Sequence, residues 1–472
     1  MTCADRLRYG MRLVIWHTDR FPTAPGVYLG CFPAMGHKIT WVVSDTGERN
    51  EVVERREGGV RHFEIRRPPD SPLPRPLGAL LNRWNKLVGF FLKARLMERL
   101  ARERPDVLQV RDLITEGLLG LWAARRHRVR FAFQLDHPHF EARLLELDLR
   151  DRGWSLERLW LCGWIALRRI LLRNADLVLP ISEAMGELLR DREGVDPRRM
   201  VVFPVGVSRA TFERGGSCVV DPRVAALQGQ PTICYLGNLE FRRDPGLIFR
   251  VIEEVARRVP ESRFLVVGRL TDSIRRLLVG PIFSQRLQFI PFVPYDEVPA
   301  LLRAARAGIY PIPVDDPYGV HRTCSPLKVV EYMSVGLPVV ASRVHDAENA
   351  LRQSGGGVCV ESEPGAFAEA VERYLNDPEL ARREGARGRA WVETHRLFDV
   401  LAREVEAAYR RLLESGVPAG LESPLLAASG SSPAAMGDAR PGSGDPRGDP
   451  FPATSSRSRS RITGCGRMNS TS

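Results

Sequence analysis

The stretch SPLKVVEYMSVGLPVVAS, residues 325–342, reads as loop, short helix, tight turn and buried strand. Ser325 is placed to cap the helix, and Pro326 suits its first position, where the missing N–H would have no partner anyway. Gly336 falls where the helix must stop, and Pro338-Val339-Val340-Ala341 is an apolar run of strand length. A helix feeding straight into a fully apolar strand belongs to parallel sheets covered on both faces. Glu331 stands in this helix among Leu327, Val329, Val330, Tyr332 and Met333, one turn beyond Lys328. Two readings follow. In one, Glu331 pairs with Lys328 at i, i+3 on a core helix. In the other, the helix N-terminus with Ser325, Pro326, Leu327 and Lys328 seats a phosphate, and Glu331 accepts hydrogen bonds from hydroxyls.

The same grammar runs outward in both directions. Upstream lie the apolar runs 232–238, 263–270, 287–293 and 307–312, and downstream 357–361, with helical stretches between most of them. The first half repeats it: 12–16, 37–43, 62–65, 106–110, 130–136, 176–182 and 200–207 read as strands, and 113–126 and 156–173 as helices. The expected fold is α/β, with two Rossmann-like doubly wound domains facing a cleft, since ligands of such sheets sit beyond the strands' carboxyl ends. The expected boundaries are a first domain at 11–207, a linker at 208–230 and a second domain at 231–385. Helices at 386–414 return to the first domain. From 415 to 472 the chain is rich in Pro, Gly, Ser and Ala, with too little apolar content to fold, and reads as a disordered tail.

A chain of 472 residues is too long for one ordinary core. Its formal net charge of +12 points to anionic partners such as phosphates or anionic lipid, or to a genome rich in arginine. No nucleic-acid recognition motif accompanies the charge, so nucleic acid is not an expected partner. The eight cysteines form no CxxC pair and no Cys/His cluster with zinc spacing, which fits a reducing compartment. The N-terminus lacks the apolar core of a signal peptide, and Met11 is an alternative start. No apolar run reaches the ~18 residues of a spanning helix. The expected location is the cytoplasm, at the inner face of the membrane.

Beyond the strand at 232–237, Gly237 and Asn238 lead to Arg242 and Arg243, where guanidinium groups reach phosphate oxygens in bidentate fashion. With the 325–328 segment at another strand end of the same sheet, these residues outline a pyrophosphate site. Gly26, after the first strand, is placed to approach it from the other domain. Asp315 and Asp316 precede a proline and read as a loop, and no metal ligand set is evident.

The stretches YLGNLEFRRDPGLIFRVIEEVARRVPESRFLVVG, LQFIPFVPYDEVPALLRAARAGIYPIPV and SPLKVVEYMSVGLPVVAS, in that order, resemble the donor half of the group 1 glycosyltransferases, the family 4 enzymes of GT-B fold. PDVLQVRD, ADLVLPISEAM and VVFPVGVSRATF agree more loosely, and the resemblance spans about residues 11–414. It implies transfer of a sugar from a UDP- or GDP-sugar, with retention of configuration, and with neither a bound metal nor a cofactor. Glu331 matches the second glutamate of the family's E-x7-E motif, which holds the ribose hydroxyls, and Arg243 falls at its diphosphate-binding lysine. Phe292 and Val293 would line the base. Two positions depart from the pattern: Thr323 replaces the first motif glutamate, which alters the sugar contact, and Asn238 replaces a phosphate-site arginine.

On the acceptor side, FQLDHPHFE brings Asp136, His137 and His139 to a strand end. The family's histidine position falls on Asp136, with His137 next. Either is placed to act as base or to hold a sugar hydroxyl, and Asp112 is a further candidate. The helix at 76–96 lines up Leu80, Trp84, Leu87 and Phe91 beside Arg83, Lys86 and Lys93. That pattern suits an anionic membrane and a lipid-linked or glycan acceptor, as in related envelope-polysaccharide enzymes, or a plain sheet-covering helix. A nucleotide-sugar epimerase or hydrolase of the same fold, and a non-catalytic scaffold, are the alternatives.

Overall fold

The computed structural model describes residues 10–17, 22–74, 76–149, 155–214, 222–237, 239, 245–269, 271–276, 278–291, 293–314 and 316–415. Among them, the first half supplies β1 (Arg12–His17), β2 (Lys38–Thr46), β3 (Glu51–Glu57), β4 (Val60–Arg67), β5 (Val107–Arg111), β6 (Arg130–Leu135) and β7 (Leu177–Pro180). The second half supplies β8 (Thr232–Leu236), β9 (Arg263–Val267), β10 (Leu287–Ile290), β11 (Ala307–Tyr310), β12 (Val339–Ser342) and β13 (Gly357–Val360). They form two sheets, of order β3-β4-β2-β1-β5-β6-β7 and β10-β9-β8-β11-β12-β13. Every pair is parallel except β3–β4. The two-domain α/β architecture expected from the sequence is the one found.

The central strands are buried along their length because both faces are roofed: β5, β6, β8 and β12 hide nearly every side chain. Strand β3 escapes sequence reading because its face is charged and exposed, as an edge strand's is. Its one signal is Gly58-Gly59, both at positive φ, which closes the β3–β4 hairpin.

The expected strand at 200–207 needs correction. Met200 makes a single bridge to Val178, and the amides of Val201 and Phe203 donate to the carbonyls of Val178 (3.0 Å) and Pro180 (2.8 Å). Pro204 has no N–H to continue a ladder. The chain instead leaves the sheet, and Val207 bridges to Leu397.

Helix Pro378–His395 packs on the second domain: a Cβ added to Gly385 would strike the carbonyl of Gly336. The chain then crosses at Arg396-Leu397, and helix Phe398–Ser415 lies on the first sheet. There Leu401, Val405, Tyr409 and Leu412 join Leu13, Ile15 and Tyr28 in one core. The Tyr409 and Tyr28 hydroxyls meet at 3.0 Å, and Gln109 Nε2 donates to the Tyr28 hydroxyl at 3.0 Å. A helix distant in sequence thus completes the first domain.

Tyr409→Ala is expected to destabilise the first domain by roughly 3–5 kcal/mol, the usual cost of deleting a buried aromatic side chain. Tyr409→Phe removes only the hydroxyl and is expected to cost about 1 kcal/mol. Urea unfolding followed by near-UV circular dichroism checks both, and equal losses would exclude this packing role.

Candidate functional site

In the second sheet the strand order reverses between β8 and β11, which opens a crevice at their carboxyl ends. Helix Leu327–Ser334 sits across that point. The Leu236 amide, last in β8, donates to the Tyr332 hydroxyl (2.7 Å), and the Tyr332 ring lies on Gly308 of β11 so closely that an added Cβ would stand 2.5 Å from it. This anchoring fixes the two charged side chains of the helix, Lys328 and Glu331. Lys328 crosses directly over Gly237: a Cβ added there would lie 2.2 Å from Lys328 Cε, and Gly237 has φ +135°. The Lys328 ammonium stands 5.5 Å from the Tyr310 ring centroid, at the end of β11.

Glu331 follows one turn later and is only 4% exposed. Burial raises its carboxyl pKa to about 7, against the opposing pull of the Lys328 charge. Glu331 lies in the interior, as the core-helix reading has it, and the Lys328 charge acts on it from one turn away. Among the described residues its carboxylate has no hydrogen-bond partner. Tyr295, whose buried hydroxyl also lacks a partner among the described residues, feels its charge: burial and Glu331 both push the Tyr295 pKa up. A buried acceptor and a buried hydroxyl without partners are costly in a finished interior and ordinary in a binding site. Val293 packs half-buried beside Tyr295 against the core. Tyr295 and Tyr310 were not singled out from sequence. Their signal was position, since each stands at or just beyond a strand end of this sheet.

The start of the helix differs from expectation. Pro326, not Ser325, holds the cap position, with no side-chain cap bond. The Ser325 hydroxyl is used elsewhere, donating to Asp346 Oδ2 (2.6 Å) and accepting from the Val205 amide (3.3 Å). Leu327 is half-buried against the core. Thr323 is buried and turned inward: its hydroxyl donates to the Gly319 carbonyl (2.8 Å), and its own carbonyl accepts from Ser182 Oγ (2.6 Å) of the first domain. Gly26 faces the Phe398 ring, where an added Cβ would lie 2.2 Å from it. Asp316 accepts from the amides of Tyr318, Val320 and His321 in its own loop. Asn238, Arg242, Arg243, Phe292 and Asp315 lie outside the described residues.

The first sheet reverses between β1 and β5, and a second polar group gathers there. Arg111, at the end of β5, is buried; its guanidinium reaches Asp136 Oδ2 at 2.5 Å, Asp112 Oδ2 at 3.7 Å and the His17 ring at the end of β1. Gln134 Nε2 donates to Asp136 Oδ1 (2.9 Å). Burial raises the pKa of both Asp112 and Asp136, while the Arg111 charge holds them down. His17 is driven well below its usual range by burial, then by Arg111, and is neutral. Asp112, at φ +56°, accepts from the amides of Asp136 (2.8 Å) and His137 (3.4 Å), so it shapes the loop. His137 and His139 meet edge to face at 4.7 Å. His17 and Arg111 were not singled out either; a charged residue inside the apolar run VLQVRD was the available sign.

Residues 28–206 match the model of the glycosyl transferase 4-like domain, and residues 230–377 that of the glycosyl transferases group 1. The chain is 24% identical over 240 residues to D-inositol 3-phosphate glycosyltransferase of Nocardia farcinica, covering 48% of this chain and 51% of that one. It is 24% identical over 300 residues to the GDP-mannose-dependent alpha-(1-6)-phosphatidylinositol dimannoside mannosyltransferase of Mycobacterium tuberculosis, covering 62% and 71%. The chain therefore spans about half the length of the first relative. The fold resembles that of an alpha,alpha-trehalose-phosphate synthase (UDP-forming) from Burkholderia vietnamiensis, with a TM-score of 0.60, 16% identity, and coverage of 85% of this chain and 100% of that one.

With a pKa of about 7, Glu331 becomes the stronger acceptor as pH rises. Calorimetric affinity for UDP or GDP is therefore expected to increase from pH 6 to pH 8, up to about tenfold more than in Glu331→Gln. Its folded pKa lies above the unfolded value, so its contribution to folding is full below pH 4.5 and is lost as pH rises through about 7. Parallel pH curves for both proteins would exclude the ionised carboxylate as a ligand contact. Gly237→Ala is expected to displace Lys328 and to weaken the same nucleotide about tenfold or more, given roughly 1–3 kcal/mol of backbone strain. Unchanged affinity would remove Lys328 from the site.

Proposed function

The chain belongs to the group 1 glycosyltransferases, and on that premise we propose that it moves a sugar from a UDP- or GDP-sugar to a lipid-linked or glycan acceptor in envelope glycolipid or polysaccharide synthesis. The transfer retains configuration and needs no bound metal. The observation that carries this reading is Glu331, a buried carboxylate with no protein partner among the described residues, beside Lys328 and Gly237 at the carboxyl edge of the second sheet.

Vicinal ribose hydroxyls donate to the Glu331 carboxylate in charge-assisted bonds. Lys328, the backbone that follows Pro326, and Arg242 and Arg243 bind the diphosphate, and Gly237 lets it come close. As the nucleotide departs, these groups neutralise the developing charge. Val293 and Phe292 border the base. Thr323 spends its hydroxyl on Gly319, so it offers the sugar no charge. Asp136, fixed by Arg111 and Gln134, accepts from a sugar hydroxyl, and His137 is the candidate for moving a proton. The names of the relatives support the donor class and the lipid acceptor: one is GDP-mannose-dependent and acts on a phosphatidylinositol dimannoside.

The enzyme works at the inner face of the membrane. No helix among the described residues is long and apolar enough to cross a bilayer. Helix Leu77–Arg102 instead exposes Leu80, Trp84, Leu87 and Phe91 beside Arg83 and Lys86, which suits peripheral contact with anionic lipid through 76–96.

Release of nucleoside diphosphate from a panel of UDP-, GDP- and ADP-sugars, with membrane lipid extract, tests this reading. One donor is expected to react, to need the lipid, and to tolerate chelator. Glu331→Ala should lower the rate roughly 100-fold, about 2.7 kcal/mol of transition-state stabilisation. Nucleotide binding without release would instead mark a non-catalytic binder, and release that ignores the lipid would mark a hydrolase.

A further inference from the structure

Helix Phe398–Ser415 covers a face of the first sheet that holds Ile15, Leu177 and Leu179, and one line of polar residues crosses it. Residues two apart share a strand face, so Gln109 and Arg111 of β5 lie there, as do Gln134 of β6 and Asp136 just beyond it. Arg111 stands in register with Gln134. Both glutamines are buried.

These side chains form one line of hydrogen bonds. The Tyr409 hydroxyl donates to Gln109 Oε1, Gln109 Nε2 donates to Gln134 Oε1 (3.0 Å), and Gln134 Nε2 donates to Asp136 Oδ1 (2.9 Å). Gln109 Nε2 also donates to the Tyr28 hydroxyl (3.0 Å). The direction is set from the far end. An ionised carboxylate only accepts, so Gln134 turns its amide nitrogen to Asp136 and its oxygen to Gln109. Gln109 must then offer its own nitrogen, which leaves its oxygen for Tyr409. The line keeps one direction for as long as Asp136 is ionised.

Stability alone gives no reason for such a line. A buried hydrogen bond adds little net stability, and replacing both partners by apolar groups of the same shape can be neutral or stabilising. Two glutamines inside buried parallel strands are better explained by what they hold. Gln134 occupies Asp136 Oδ1, and the Arg111 guanidinium occupies Oδ2 at 2.5 Å. A donor on each oxygen holds the carboxylate against rotation, and its roughly four lone-pair sites leave room for a hydroxyl. Along the line from Tyr409, Asp136 is the first residue that is not fully buried.

The charged and titratable groups around Asp136 are Arg111, Asp112, His17 at the end of β1, Tyr28 and the adjoining His137. Burial raises the Asp136 pKa most, Arg111 opposes it, Asp112 raises it further, and the Gln134 bond lowers it.

We propose that Gln109 and Gln134 are positioning residues, a buried relay from helix Phe398–Ser415 that orients the Asp136 carboxylate as an acceptor for a sugar hydroxyl. This rests on the role proposed for Asp136 and adds the two residues that act through it.

The titration of Asp136 in the full chain tests the relay without relying on turnover. It is read by NMR of isotope-labelled aspartate carboxyls and assigned as the signal lost in Asp136→Asn. Gln134→Met removes the donor and is expected to raise the Asp136 pKa by about one unit. Gln109→Met touches no atom of Asp136 and is expected to move it the same way by about half as much. With the donor that reacts in the release assay, kcat/KM should fall about tenfold and about threefold, respectively, with UDP or GDP affinity and melting as in the wild type. A shift in Gln134→Met alone would reduce the relay to one bond and overturn the proposal, as would shifts that leave the rate unchanged. If neither variant shifts while Asp136→Asn is impaired, the relay is wrong and the reading of Asp136 stands. An Asp136→Asn enzyme with the wild-type rate would end both. A wild type that turns over no donor would end the transfer reading and the positioning role with it.

Discussion

The guanidinium of Arg396 is the group on which the joining of the two domains depends. It is buried at the crossing between them, and it donates to Asp346 Oδ1 (2.6 Å), to Ser325 Oγ (3.4 Å) and to the Val205 carbonyl (3.4 Å). Trp391 lies under it, 5.3 Å from the ring centroid. A buried cation needs all its partners, and removing one from such a pair costs about 3–5 kcal/mol because the survivor is left uncompensated. Three separate segments are therefore committed to one place: the exit from the first domain, the entry to the 327–334 helix, and helix His345–Ser354. Ser325 is one of those partners. The residue that sequence reading offered as a helix cap is instead a joint between domains.

Each sheet then contributes one polar cluster, and in both cases the cluster sits where strand order reverses. The reversal leaves a gap between diverging loops. The two gaps are furnished differently. In the second domain Glu331 stands without a partner among the described residues, which leaves it available to a ligand. In the first domain the acids are already engaged by Arg111, by Gln134 and by backbone amides, so they hold a shape. One guanidinium, that of Arg111, serves both. The division follows from chemistry: a site for a diphosphate needs unspent cations and donors, whereas a site for sugar hydroxyls needs fixed acceptors.

Most of the architecture was readable because buried parallel strands announce themselves as unbroken apolar runs. Strand β3 was not, since an edge strand with Arg and Glu on its open face resembles a loop. Residues 200–207 misled in the other direction: Val201 and Phe203 donate to two carbonyls of β7, but Pro204 ends the pairing and the chain leaves the sheet. In the site, Glu331 and Lys328 were readable because polar residues on an apolar helix need a reason. Arg111, His17, Tyr295 and Tyr310 were harder. Their surroundings are made by strands and loops distant in sequence, and no local pattern encodes which residues a sheet reversal brings together.

The chain passes between the domains twice, once after Gly206 and once at Arg396-Leu397. The two passages lie side by side: the Val207 amide donates to the Arg396 carbonyl (2.9 Å), and the Phe398 amide to the Val207 carbonyl (3.1 Å). Gly206 allows this approach, since a Cβ there would stand 2.5 Å from the Arg396 carbonyl oxygen. Two adjacent, laced crossings act like the paired pins of a door. They bring both connections to one place, where one pair of backbone hydrogen bonds serves both. The buried Ser182–Thr323 bond joins the domains away from these crossings, and Arg322–Glu187 (3.0 Å) and Asn349–Glu183 (3.1 Å) join them as well.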